Sequence, residues 1–221
     1  MHPDKPMYSS WDGMRRRWEQ EASLRLYSSL LSPDIKEGSR PGGVDQRSRV
    51  CVDRAEPLRR AMVTKTVSKT QSAGLLLYRR QGHDIEVLLG HPGGPFWRKK
   101  DLGSWSIPKG LIAPDEALLA AAKREFAEET GHCPRGNVVP LGEARQSGGK
   151  MIHVWAVEDD WDAADLRSNM FEMEWPPRSG RRQMFPELDR AAWFGLAEAR
   201  AKILKGQAIF LSRLLEALAD L

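Results

Sequence analysis

The chain has 221 residues, enough for one domain with a sizeable core or for a domain carrying an appendage. With 41% hydrophobic and 29% charged residues it is neither a fibre, a coiled coil nor a wholly disordered chain, and no apolar run reaches the roughly 20 residues of a bilayer span. A formal charge of +4 suits a polyanionic small molecule as well as nucleic acid, so the sign alone does not choose a partner.

Residues 1–68 read differently from the rest. A short amphipathic helix is expected over 18–31, followed by SPDIKEGSRPGGVDQRSR, a polar and turn-rich stretch that cannot bury enough surface to order itself. The expectation is a flexible leader, with Met62 as an alternative translational start. Charges interrupt the N-terminus where a secretory signal needs an apolar stretch, and Asp4, Asp12, Glu19 and Glu21 argue against an organelle transit peptide. Cys51 and Cys133 lie far apart with no CxxC spacing, which indicates neither a zinc site nor a disulfide framework and makes the cytoplasm the expected compartment.

Residues 69–221 carry the regular signals. SAGLLLYRR and IEVLLGH, separated by turn formers at 81–84, predict a β-hairpin or neighbouring strands. After a loop around His91-Pro-Gly-Gly-Pro95, GSWSIPKG predicts a brief strand ending in a turn. Pro114-Asp-Glu-Ala then opens a strong helix that Gly131 closes. Strands are expected over 138–145 and 151–157, joined by a Gly148-Gly149 hairpin turn. Residues 159–186, with Trp175-Pro-Pro177 and Arg178, Arg181 and Arg182, read as one long connection. A strand over 191–194 and helices over 196–204 and 208–221 complete the chain. This order predicts an α/β (α+β) fold, a mixed β-sheet with helices packed on it.

The most informative segment is GLIAPDEALLAAAKREFAEETG. At about 100° per residue, Leu118, Leu119, Ala122 and Phe126 define the sheet-facing stripe. Glu129 falls inside that stripe, with Glu125 and Glu128 beside it. A carboxylate on a core-facing stripe costs several kcal/mol to desolvate unless protonated, paired or bound to a cation. Three of them at i, i+3 and i+4 also repel one another. A divalent ion would relieve both costs, and oxygen-only ligands favour Mg²⁺ or Mn²⁺ over zinc. A merely solvated acidic surface leaves the placement unexplained, because the helix dipole disfavours acids near a C-terminus.

Gly110, Glu116, Arg124-Glu125, Phe126, Glu128-Glu129 and Gly131 stand at the spacing of the Nudix box, and residues 70–215 resemble a Nudix hydrolase. His132 departs from the pattern, which prefers an aliphatic residue there. The resemblance implies a mixed sheet sandwiched between helices. It implies that Glu125, Glu128 and Glu129, with a backbone carbonyl at Lys109 or Gly110, hold Mg²⁺ or Mn²⁺. Arg124 would orient these carboxylates and Glu116 would tie down the start of the helix. Glu129 or Glu128 is the expected general base, with Glu143, Glu172 and Glu187 as candidates outside the box.

Lys109, Lys150 and Arg182 are the expected phosphate contacts, with His153, Arg178 and Arg181 as further candidates and Trp97, Trp155 and Trp175 as residues able to stack on a base. The expected activity is pyrophosphohydrolysis of a nucleotide-like small molecule. A dinucleoside polyphosphate or nucleoside triphosphate comes first, on the weak cue of the Pro108-Lys109-Gly110 entry to the box. ADP-sugars, NADH and RNA caps follow, and a catalytically silent ligand sensor is the remaining alternative. No membrane or nucleic-acid partner is expected, and a homodimer stays open.

Overall fold

The computed structural model describes residues 71–146 and 149–219. The expected leader, its helix over 18–31, Met62 and Gly148 of the expected turn lie outside the described residues.

The centre of the fold is β1 (Gln71–Gln81), buried without a break from Ser72 to Tyr78. Such a run, apolar on both faces, suits a strand covered from both sides. It turns through Gly82, whose φ of 63 is open to glycine, into antiparallel β2 (Asp84–Pro92). The short β3 (Lys109–Leu111) lies antiparallel along the start of β1. β4 (Val138–Arg145) and β5 (Met151–Glu158) form an antiparallel pair, β5 runs parallel to β1, and β8 (Leu188–Gly195) closes the other edge beside β2. The strand order is β4-β5-β1-β2-β8, with β3 attached to β1.

Alternation along the strands sends side chains into two cores. Ala73, Leu75, Leu77 and Leu88 meet Ala121, Ala122 and Phe126 of α1 (Leu118–Thr130). Leu76, Leu89, Ile152 and Val154 meet Ala199 of α2 (Leu196–Lys202) and Phe210, Leu211 and Leu214 of α3 (Ile209–Ala219). Each fully buried Leu or Phe contributes roughly 1.5–3 kcal/mol, so the two layers hold the sheet between helices as expected. α1 ends where Gly131, at φ 78, returns its N–H to the Ala127 carbonyl.

Three expectations require correction. The helix starts at Leu118 rather than Pro114. Asp115 takes φ 61, and Glu116 Oε2 accepts the Ala113 N–H at 2.9 Å, so this segment folds as a turn that aims Glu116 back at the helix. Residues 159–186 are not one open connection. They contain β6 (Met170–Glu174) and β7 (Arg182–Pro186), a separate antiparallel hairpin. Phe171 and Phe185 pair on it, with ring centroids 6.2 Å apart, and both lie against Gly94. Its other face leaves Met170 and Met184 54% and 55% exposed, so no alternation marks these strands in the sequence. Finally, Cys133 is disulfide-bonded, against the reading that no disulfide is indicated.

Candidate active site

β3 delivers Lys109 and Gly110 to α1. Gly74 on β1 makes this approach possible, since a Cβ there would stand 2.6 Å from the Pro108 carbonyl oxygen. Gly110 has a sharper reason to be glycine, because a Cβ would overlap the Glu125 carboxylate. That carboxylate lies directly against the β3 backbone, and Glu125 is only 3% exposed. The buried stripe of α1 therefore includes Glu125 beside Ala121, Ala122 and Phe126, whereas Leu118 and Leu119 are only partly buried.

Arg124 organises the region. Its Nε and Nη2 donate to the two Glu116 oxygens at 2.8 Å each, Nη1 donates to Glu125 at 2.8 Å and Glu128 at 3.2 Å, and Nη2 also reaches the Leu111 carbonyl at 3.0 Å. The Glu116 hydrogen bonds above all raise the Arg124 pKa, against the desolvation that opposes it. Burial works against the Glu116 carboxylate, but its bonds to Arg124 and to the Ala113 N–H outweigh this and hold it below its ordinary value.

The opposite holds further along the helix. Burial pushes Glu125 up to about 7, with Arg124 only partly offsetting it and Glu128 and Glu187 adding repulsion. Glu129 keeps a partly open edge, yet its carboxylate sits in dense protein, accepting the Lys109 N–H at 2.9 Å. Burial raises it well above the usual range, and Glu187 and Glu125 reinforce the shift while the Lys109 charge opposes it. Glu187 is raised by burial and then by Glu128, with Lys109 again opposing.

Glu187 is thus the carboxylate outside the box that the fold brings into this group. Its N–H donates to the Asn169 carbonyl at 2.8 Å, its own carbonyl accepts the Gly93 N–H at 2.9 Å, and the Asn169 N–H reaches the Glu128 carbonyl at 3.3 Å. The sequence marks Glu187 only as a glutamate just before a strand. Glu143 stands apart, 3.4 Å from His153 Nδ1, and Glu172 pairs with Arg182 at 2.6 Å on the exposed hairpin.

The other expected contacts are dispersed. Lys109 lies among the carboxylates, whereas Lys150 precedes β5 at the β4–β5 turn. Lys150 and His153 are three residues apart and so occupy opposite strand registers. His153 Nε2 is buried without a hydrogen-bond partner. Trp97 lies under the Lys100 ammonium, Trp175 meets Phe96 edge-on, and Trp155 packs against the α1-side core. His132, the departure from the box pattern, stacks on Trp161 and bonds Asp159 at 3.0 Å.

Four carboxylates near one lysine and one arginine form a hard, oxygen-rich, electron-rich set, which fits Mg²⁺ or Mn²⁺. Among the described residues no three of them already form a metal cage, since Arg124 draws Glu125 aside and the Lys109 N–H holds Glu129.

A turn, a helix and the segment before β8 thus converge carboxylates beside a mixed sheet. Residues 68–214 match the sequence profile of the NUDIX domain, and the chain belongs to that family. The mitochondrial ADP-ribose pyrophosphatase of Rattus norvegicus is 50% identical over 32 residues, which is 14% of this chain and 9% of that protein. The chain therefore matches about a tenth of that relative's length. Among solved structures, a binary complex of the C. elegans Ap4A hydrolase aligns with TM-score 0.49 and 21% identity over 68% of this chain and 99% of its own. The NUDIX domain of Shewanella oneidensis NrtR complexed with ADP ribose aligns with TM-score 0.49 and 18% identity, over 68% and 89%. Among the described residues no helix is long and apolar enough to cross a membrane.

Proposed function

We propose that this chain is a Mg²⁺-dependent pyrophosphohydrolase, also served by Mn²⁺, that cleaves a phosphoanhydride in a nucleoside diphosphate-linked substrate. The observation that carries this reading is the gathering of Glu125, Glu128, Glu129 and Glu187 beside Lys109 and Arg124, with Glu125, Glu129 and Glu187 each raised by burial first and by a neighbouring carboxylate. Groups tuned in this way cluster at catalytic sites.

Glu125, Glu128, Glu129 and the Gly110 carbonyl would hold the cation. When bound, the cation would offset phosphate charge and make a water nucleophilic. Arg124 keeps the carboxylates in place, and the Lys109 ammonium contacts a phosphate. Glu125 and Glu129 already accept hydrogen bonds from Arg124 and Lys109, so Glu187 is best placed to take the proton of the attacking water, with Glu128 and Glu129 as alternatives.

A dinucleoside polyphosphate or nucleoside triphosphate is the leading substrate, supported by the Pro108-Lys109-Gly110 entry and by Arg178, Arg181 and Arg182 on the hairpin. The rat ADP-ribose pyrophosphatase match favours ADP-sugars as the second reading. Purified protein should be screened with Mg²⁺ against diadenosine polyphosphates, nucleoside triphosphates, ADP-ribose, NADH and capped RNA, with Glu129→Gln alongside. Cleavage of one class by the native chain, lost in Glu129→Gln, is the expected result. Equal activity in both, or none with any substrate, overturns the proposal.

A further inference from the structure

We propose that His91, acting through a bulged Asp189, is a positioning residue that sets Glu187 beside the metal-binding helix. This rests on the reading of Glu187 as proton acceptor.

His91 is fully buried in β2, with both ring nitrogens engaged. Nε2 donates to the Lys100 carbonyl at 2.9 Å, and Nδ1 stands 2.7 Å from Asp189 Oδ1 and 3.1 Å from Arg190 Nη2. The ring edge meets Trp105 at 5.1 Å. An apolar ring could fill this volume without the cost of burying polar nitrogens, so what the imidazole adds is its connections.

Those connections fall on a break in the β2–β8 ladder. Gly90 pairs with Ala191 and His91 with Arg190, but Pro92 pairs with Leu188, so Asp189 is the extra residue of a bulge. A bulge resets which way the side chains flanking it point, and here Leu188 alone separates it from Glu187. Beyond it, Leu188 packs onto Gly90 so closely that a Cβ there would lie 2.6 Å from Leu188 Cδ1, and the Glu187 carbonyl takes the Gly93 N–H. His91 therefore grips the one residue that keeps the ladder out of regular register. A slip of one residue would exchange the faces of Leu188 and Glu187. The same ring holds the Lys100 end of the loop whose Gly93 end holds Glu187.

The test uses His91→Phe, which keeps a ring against Trp105 and removes the hydrogen bonds to Lys100, Asp189 and Arg190, with Asp189→Ala as a second route should the first fail to fold. Either variant should lower kcat by up to about 100-fold, as a misplacement of about 1 Å can do, with KM and Mn²⁺ affinity near native. Asp189→Asn, which retains an acceptor, should restore most of kcat. Hydrogen exchange at the Gly93 and Glu187 amides should accelerate in His91→Phe and Asp189→Ala whether or not a substrate is known. Native exchange with native kcat in both overturns the positioning role alone. Full activity in Glu187→Gln instead removes Glu187 as proton acceptor, and this role with it.

Discussion

The two ends of the Nudix segment use the same side chain for opposite ends. At its start, Glu116 is matched by a two-toothed Arg124 contact and a backbone N–H, and its carboxyl is held low. At its finish, Glu125 and Glu129 join Glu187 in protein where burial outweighs every cation present, and all three are held high. The first arrangement satisfies its charges and serves architecture. The second leaves carboxylates in excess of cations, a cost that a bound cation would relieve under the proposed function. Matched charge and unmatched charge thus separate scaffold from chemistry within a single sequence motif.

The contrast is broken most severely by Gly110→Ala. The added methyl collides with the Glu125 carboxylate, so we expect activity to fall by about 100-fold or more through misplacement and stability to fall by about 1–3 kcal/mol, read by kcat/KM and denaturant unfolding. Native kinetics in this variant would show that the close seat of Glu125 on β3 is dispensable. Arg124→Ala attacks the matched end. It strands Glu116 and Glu125, but the side chain is 35% exposed, so the expected loss is about 2 kcal/mol, below the ~3–5 of a fully buried pair.

A pH titration of metal-free protein reads both ends at once. Glu125 has its folded value raised from 4.5 to about 7, so the folded state binds more protons between those values and stability falls as pH rises through that window. Glu116 has the opposite sign, contributing stability above about pH 4.5 that is lost only as pH falls below it. The melting temperature in chelator should therefore decline by a few degrees from pH 5 to 7.5, and Mg²⁺ should recover it at the alkaline end. A rise across that range in chelator would mean that the Glu125 carboxyl is not desolvated. Smallest of all, Arg182→Ala breaks a surface pair with Glu172 and should cost below about 1 kcal/mol, while raising KM for long polyphosphates if Arg182 meets substrate.

The sheet strands and the acidic helix were legible because their patterns are dense: β1 is apolar at every position from Ala73 to Leu77, and the carboxylates of α1 recur at helical spacing. The helix start was misread because Pro114 and Asp115 suit a first turn as well as the turn they form, and only the distant Arg124 shows which is realised. The β6–β7 hairpin escaped because one of its faces is open, so exposed Met170 and Met184 blur the period that would mark a strand. Glu187 and His91 carry no local signature at all. Their importance comes from partners such as Glu128 and Asp189, and sequence spacing does not report contacts made between residues so distant in the chain.

The hairpin is closed at its root, where the Glu187 N–H meets the Asn169 carbonyl while Asn169 itself is tied to the end of α1. Between those two residues the hairpin meets the rest of the domain again through Phe171 and Phe185 at Gly94 and through Trp175 at Phe96. The exposed tip over residues 176–181 lies past these contacts, so changes there leave the junction beside the carboxylates in place. The fold thus separates a buried, many-sided cluster of carboxylates from a tip that sequence change can reach with little effect on it.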